Sequence, residues 1–387
     1  MKNSPKKNKR APKVHYPKEI ETNNYNGKLY GYYHSDSNEY NIINFGKNIK
    51  ESIPYVGKIV KDKDDIDEKK VDELIGFREN DQIIFRQGLK ICNKQPYELL
   101  LNVFSRNSGI IETSEMLNKS VIISGLGSVG SLVALELARS GVGKYLLIDN
   151  DTIEYHNICR HQCGIKDVGK FKVNAISERI LKINPTAIVV AKIGIFEDIS
   201  ESVFNEFIDS DTVIVGCADN REGDLYANRI SLLYNIPFVS IGFWERAFAG
   251  EIFYSIPGRT PCYSCVFGNT KKNISTRIST NRRFYTNEDD LALTKFEPGI
   301  STDINFITII GIKLILDLMN LNNQNYIPRL FNTLSQFTLI CNTNNPVIGG
   351  EQAEIFSYPL QITTSLKVNF SKHCNDCNLL KGKKNGD

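Results

Sequence analysis

A chain of 387 residues, 41% of them hydrophobic, is long enough for about two domains of ordinary globular composition. Its net charge of +3 is too small to argue for a nucleic-acid binder, so no nucleic-acid partner is expected. The longest apolar stretch, FITIIGIKLILDLM at 306–319, is shorter than the roughly 20 residues of a bilayer span and carries Lys313; it predicts a buried helix and no membrane association.

In chain order, residues 1–18 are basic and lack periodicity, which predicts a disordered tail. No apolar core follows MKNSPKKNKRAPK, so a secretory signal is not expected and a cytoplasmic setting is. Residues 19–100 carry short β-like runs (KLYGYYH, NEYNIINF, YVGKIV), a charged helix-like stretch (DKDDIDEKKVDELIGF) and two further apolar runs (QIIF, GLKIC). They predict a small α+β module, with a boundary between Glu98 and Arg106. From Ser120 the rhythm changes to VIIS, a helix over 128–140, YLLID, a helix over 170–183, AIVVAKI, a stretch near 201–208, TVIVG, a helix over 223–234, and PFVSIG. That alternation predicts an α/β fold, a Rossmann-like doubly wound sheet filling residues 101–387.

VIISGLGSVG sets G-x-G-x-x-G between a buried strand and a helix. Gly125, Gly127 and Gly130 permit a tight turn with Ser128 inside it, and the exposed N–H groups of the next helix attract phosphate. Asp149, at the end of the second strand, is placed to accept hydrogen bonds from ribose hydroxyls. So far the pattern also fits an NAD-dependent dehydrogenase. Beyond Asp149, however, DNDTIEYHNICRHQCG and DVGKFK supply Asp151, Asn157, Arg160 and Lys172, and the fourth strand ends in GCADN with Asp219. Two more cations and another carboxylate suit a triphosphate. Arg160 and Lys172 would neutralise its charge, and Asp219 would hold Mg²⁺. No G-K-[ST] of a P-loop is present.

Of the nine cysteines, four stand in two C-x-x-C pairs, Cys262/Cys265 and Cys374/Cys377. Such spacing lets both sulfurs of a pair reach one ion, so the four fit a closed Cys₄ zinc site of structural type. Cys159 and Cys163 flank Arg160 and are read as packing residues.

These ordered motifs (GLGSVG, LLIDNDTIEYHNICR, DVGKFK, GCADN and the split PCYSC/HCNDC pairs) resemble the ubiquitin-activating, ThiF/MoeB-type adenylating superfamily from Phe104 to the end. The resemblance implies an adenylyltransferase that joins the C-terminal carboxylate of a peptide or small protein to the α-phosphorus of ATP. By it, Asp149 holds ribose; Asn157, Arg160 and Lys172 hold the phosphates; Asp219 positions magnesium, and Asp151 and Asn220 complete the nucleotide-binding set. It further implies a homodimer in which Arg106, from NVFSRNSGI, is donated to the partner's ATP. Residues 266–340 contain no cysteine where thioester-forming members generally carry one, so no obligatory enzyme thioester is expected. The basic segment 271–283 is read as a crossover loop covering the substrate tail. The N-terminal module is similar in length and order to the peptide clamp of the microcin C adenylating enzyme, which implies substrate recognition and a peptide substrate. Alternatives are a ubiquitin-like or sulfur-carrier protein ending in Gly-Gly, and, from a different class, a dehydrogenase or non-catalytic scaffold. Two departures stand out: Arg160-His161 where the family commonly has Arg-Gln, and Ser128 where it often has Gly.

Overall fold

The computed structural model describes residues 11–45, 53–61, 66, 73–98, 102–218, 221–268 and 298–379. The chain divides into two compact units, Met1–Arg106 and Asn107–Asp387.

In the first unit the strands are β1 (Lys13–Pro17), β2 (Gly27–His34), β3 (Glu39–Phe45), β4 (Tyr55–Ile59), β5 (Leu74–Glu79), β6 (Gln82–Gln87), β7 (Lys90–Ile91) and β8 (Asn93–Tyr97). They form one sheet in the order β7-β6-β5-β4-β2-β3-β1-β8. Val14, Tyr16, Ile20, Leu29, Ile42, Leu74 and Phe85 make its core, with the Tyr16 and Phe85 rings 5.0 Å apart. Two sequence expectations change here. The tail does not extend to residue 18: Lys13–Pro17 is a strand paired with both β3 and β8, and Val14 and Tyr16 are fully buried. Its period-two alternation is short and was masked by the basic residues before it. The charged stretch expected to be helical ends instead in strand β5, whose Leu74, Ile75, Gly76 and Phe77 are all buried; residues 62–65 and 67–72 lie outside the described residues.

The second unit holds β9 (Ser120–Ser124), β10 (Lys144–Ile148), β11 (Ile188–Lys192), β12 (Thr212–Gly216), β13 (Phe238–Phe243), β14 (Ala249–Ser255), β15 (Phe337–Cys341) and β16 (Ile362–Thr363). Its sheet runs β11-β10-β9-β12-β13-β14-β15-β16, parallel through the first five strands and antiparallel thereafter. After a short helical turn at Thr113–Leu117, the helices that flank the sheet are α1 (Ser128–Arg139), α2 (Lys172–Ile183), α3 (Glu201–Phe207), α4 (Arg221–Tyr234), α5 (Tyr263–Phe267), α6 (Ser301–Met319) and α7 (Pro346–Gly349). The parallel strands are apolar on both faces: Ile122, Leu146, Ile214 and Phe238 enter one core, and Val121, Ile123, Tyr145, Leu147, Val213 and Val215 the other. Such strands read as continuous hydrophobic runs because helices cover both sides. The apolar run 306–319 lies in α6, which packs against α1. Among the described residues no helix is long and apolar enough to cross a membrane. The chain passes β9 to β10 to β11 in one direction and then returns to β12 on the other side of β9. A crevice opens at such a reversal, outside the carboxyl ends of the strands.

Candidate active site

A cavity of roughly 440 Å³ occupies that position. Gly127, Ser128 and Val129 line it from the glycine turn, Cys217 and Ala218 from the end of β12, and Asp151, His156, Asn157, Arg160, His161 and Lys172 from beyond β10. Ile241, Gly242, Phe243, Trp244, Glu245 and Ala247 form a further wall.

The turn needs its glycines for different reasons. Gly125 has φ +87°, a left-handed conformation that side chains disfavour. A Cβ on Gly130 would lie 1.9 Å from the Gly125 carbonyl oxygen, so only glycine lets α1 start so close to the strand. A Cβ on Gly127 would meet nothing within 4 Å, because that face opens on the cavity. Space beside a backbone that begins a 12-residue helix is what a phosphate group would fill.

Leu126, between the first two glycines, is clamped from both sides. Its N–H donates to Asp149 Oδ2 at 2.6 Å, and its carbonyl accepts from His161 Nε2 at 2.7 Å. The His161 tautomer follows from its other nitrogen: Nδ1 accepts from the Cys163 N–H at 3.1 Å, so the proton sits on Nε2. Burial pushes the imidazole down to about 4. His161 was seen in the sequence only as a departure from the usual glutamine; no local signal announces that it holds the turn. Asp149, 9% exposed, also accepts from the Asp151 N–H at 2.8 Å and is not among the cavity-lining residues. Burial raises its pKa, with Lys172 and the Leu126 and Asp151 amides acting in the opposite direction.

A pH effect follows from His161. Between about pH 6.5 and 4 the unfolded chain binds a proton at this ring that the folded chain refuses, so stability falls as pH drops through that window. The loss should reach about 2–3 kcal/mol. Urea unfolding at pH 7 and pH 4 is expected to show that excess loss in the native chain but not in His161→Gln.

Lys172 opens α2 and is 8% exposed; its Nζ donates to Asp151 Oδ2 at 2.6 Å and lies 3.9 Å from Asp149 Oδ1. Asn157 ends a short turn in which its Oδ1 accepts from the Glu154 N–H at 2.9 Å. Arg160 reaches the cavity beside Gly299, where a Cβ would lie 3.4 Å from Arg160 Nη1 and 3.6 Å from Ala247 Cβ. Thus Gly127, Ser128, Asp151, Asn157, Arg160 and Lys172 converge on one space, while Gly125, Gly130 and Asp149 shape it from behind. Asp219, Asn220 and the segment 271–283 lie outside the described residues. Arg106 is exposed and belongs to the first unit.

The wall at 244–247 was not legible in the sequence. Arg246 (φ 54°) and Ala247 (φ 52°) are consecutive left-handed residues without being glycine, a conformation costing about 1–2 kcal/mol each. Two long-range contacts hold it, Arg246 Nη1 donating to the Val347 and Ile348 carbonyls at 3.2 Å and Asn342 Nδ2 to the Ala247 carbonyl at 2.7 Å, and a local one joins Trp244 Nε1 to Glu251 Oε2 at 3.1 Å.

Away from the cavity, the Sγ atoms of Cys262, Cys265, Cys374 and Cys377 all lie within 4.8 Å of one another. Pairs stand at 3.8 Å (262–265), 3.5 Å (262–374), 3.5 Å (265–377) and 3.4 Å (262–377). A tetrahedron with metal–sulfur bonds of about 2.3 Å has edges of about 3.8 Å, so the donor set fits zinc. Asp376 ties the two pairs together, accepting from Ser264 Oγ beside one and from Arg229 Nε at 3.0 Å. Cys374→Ser is therefore expected to lower bound zinc from one equivalent towards none by elemental analysis, and to lower the melting temperature.

Residues 100–355 match the model of the ThiF family. The chain belongs to the ThiF family. This ThiF-family chain is 32% identical over 193 residues to ubiquitin-like modifier-activating enzyme 5 of Dictyostelium discoideum, covering 47% of the chain and 50% of that relative. It is 29% identical over 196 residues to the enzyme of the same name from Caenorhabditis elegans, covering 48% and 46%. The chain thus spans about half the length of the curated relatives it matches. Among solved structures, E. coli MccB with ATP gives a TM-score of 0.49 at 21% identity, covering 68% of each chain. MccB with MccA-N7isoASN gives 0.49 at 22%, covering 68% and 69%.

Proposed function

We propose that this chain is an ATP-dependent adenylyltransferase acting on the C-terminal carboxylate of a peptide or small protein. A carboxylate oxygen bonds to the α-phosphorus of ATP, the bond to the bridging β-phosphate oxygen breaks, and pyrophosphate leaves with that electron pair. The observation that carries this reading is the convergence of Arg160, Lys172 and Asn157 on the open face of Gly127, in a chain of the ThiF family. The reaction requires no side-chain nucleophile. It requires cations where charge develops, a triphosphate held in one pose, and water kept out. Arg160 and Lys172 supply the positive charge, Asn157 a neutral donor, and the Leu126 clamp fixes the turn beneath the phosphates. Asp219 would hold magnesium, which would supply further positive charge for the phosphates. Asp149 fixes the turn from its buried position through the Leu126 and Asp151 amides, and Asp151 orients Lys172.

A peptide substrate is the reading we favour, with the first unit adding it as a strand to a sheet edge. The resemblance to activating enzymes for ubiquitin-like modifiers favours the second reading, a carrier protein ending in Gly-Gly. Peptide-dependent exchange of labelled pyrophosphate into ATP tests the reaction, and its absence with peptides and carrier proteins alike would refute it.

Arg106 is proposed to act across a homodimer. Mixing inactive Arg106→Ala with inactive Lys172→Ala chains and allowing subunits to exchange should then restore roughly a quarter of native activity, since half the dimers are mixed and each has one intact site. No recovery from a mixture shown to contain mixed dimers would place Arg106 in its own subunit's site.

A further inference from the structure

Strand β14 is buried along its whole length, yet its third residue is Glu251. Arg221 meets it there, with Nη1 2.8 Å from Oε1 and Nη2 donating to Oε2 at 3.2 Å; the two side chains are 11% and 4% exposed. A buried ion pair of this kind seldom adds stability over apolar residues of similar volume, so stability is a weak reason for its presence. What it does is connect. Glu251 Oε2 also accepts from Trp244 Nε1 at 3.1 Å, and Trp244 lines the cavity. On its other side Arg221 Nη1 donates to the Tyr263 hydroxyl at 2.9 Å, while the guanidinium lies 4.1 Å from the centre of the Phe267 ring. Tyr263 is fully buried and donates in turn to Asp224 Oδ2 at 3.3 Å.

The far end of this series is the four-cysteine site. Cys262 immediately precedes α5 and Cys265 lies within it, so Tyr263 stands between two of the ligands. Asn228 of α4 holds the same turn, accepting from the Tyr263 N–H at 2.9 Å and donating to Ser264 Oγ at 3.3 Å. A bound metal locks four thiolates about one point. Protonated thiols hold one another only weakly, which leaves α5 and its tyrosine less constrained. None of the four cysteines lines the cavity.

The cavity itself has two sides. Asp151, Asn157 and Lys172 follow β10, next to β9, whereas Trp244 follows β13, two strands from β9 in the opposite direction. The cations of the first side suit phosphates. Ile241, Phe243 and Trp244 offer apolar support on the second, where the acyl group has room to lie. Resting on the adenylation reading and on zinc as the metal of the four-cysteine site, we infer that Arg221 is a positioning residue. Through Glu251 it sets the Trp244 wall against which the acyl substrate rests, and through Tyr263 it takes its own position from the metal site. Zinc occupancy is thereby felt at a cavity wall that no zinc ligand touches.

Trp244 is the single tryptophan of the chain, so its emission reports the wall directly. Replacing Arg221 with alanine would leave Glu251 as a lone buried charge; Tyr263→Phe instead cuts the series while keeping the ring and all four cysteines. Full-length native and Tyr263→Phe chains are stripped of zinc with EDTA and refilled with zinc chloride, with circular dichroism checking the fold at each stage. In the native chain, stripping should red-shift Trp244 emission and increase its quenching by iodide, and refilling should reverse both. Zinc-loaded Tyr263→Phe should already show the red-shifted, more quenched emission and should not respond to zinc. With ATP, magnesium and a pool of N-acetylated hexapeptides carrying every C-terminal residue, Gly-Gly endings included, that variant should need about 10-fold more peptide for half-maximal pyrophosphate exchange. Its affinity for a non-hydrolysable ATP analogue should stay within about twofold of native. A mere loss of folded protein would lower the maximal rate and leave the half-saturating concentration unchanged. Arg221→Lys, which cannot bridge Glu251 and Tyr263 together, should behave alike and covers the case in which the phenylalanine variant fails to fold. Native emission in zinc-loaded Tyr263→Phe, or emission of the folded native chain unmoved by zinc removal, would overturn the inference and leave adenylation standing. No exchange by the native chain would overturn the adenylation reading, while the emission still decides whether the metal site sets the wall.

Discussion

Replacing Lys172 with alanine is expected to lower ATP–pyrophosphate exchange by roughly 10²–10³-fold, the usual loss when one preorganised charge-stabilising donor is removed. Lys172 is 8% exposed, so water cannot take over its role cheaply. It also faces Asp151 at 2.6 Å and Asp149 at 3.9 Å, which fixes the ammonium at the cavity edge before ATP arrives. Without it, two carboxylates remain close to an incoming triphosphate and repel it. The variant should therefore lose ATP affinity as well as rate, and calorimetric titration with a non-hydrolysable ATP analogue separates the two. Lys172→Arg should recover only part of the activity, because a planar guanidinium cannot occupy the point-charge position between the two acids. An unchanged rate in Lys172→Ala would mean that the phosphates lie elsewhere.

Gly130→Ala should have a comparably large effect through backbone geometry. Its methyl would lie 1.9 Å from the Gly125 carbonyl oxygen and 3.3 Å from Ile123 Cγ2. The first contact is with backbone at a residue whose own φ of +87° leaves little freedom. Either α1 moves away from β9 or the turn opens, at a cost of about 1–3 kcal/mol in stability. Leu126, clamped by Asp149 and His161, would be pulled out of line with them, so ATP binding should fall below detection by calorimetry even where the variant remains folded. A folded Gly130→Ala chain that binds the analogue normally would show that the turn does not carry the phosphates.

The fold of the second unit was legible because each parallel strand is an unbroken apolar run bounded by turn residues, and each following helix has its own amphipathic period. The antiparallel strands β14 to β16 were weaker, since their pairing depends on β15 returning from more than 80 residues away. In the first unit, β1 was lost behind a run of lysines, although Val14 and Tyr16 already alternate with polar residues.

At the cavity, residues near one another in sequence were easiest to place. Gly127 and Ser128 follow one strand, and Asp151, Asn157, Arg160 and Lys172 follow the next. Asp149 shows a subtler side: its position at a strand end is a sequence signal, but its two bonds to the Leu126 and Asp151 amides appear only when β10 lies beside β9. His161 and the Glu245 wall were not legible for the same reason. The His161 partner is a backbone carbonyl 35 residues earlier. The left-handed turn at Arg246 and Ala247 contains none of the glycines or asparagines that normally announce one, and it is held by Asn342 and by carbonyls of α7.

The central claim is that a nucleoside triphosphate lies across the glycine turn with its α-phosphorus open to a carboxylate. A crystal structure with a non-hydrolysable ATP analogue and magnesium measures this directly. The expected result is a triphosphate packed on Gly127 with Arg160 and Lys172 in contact with its oxygens. A nucleotide bound with those two side chains turned away, or bound outside the cavity, would contradict it.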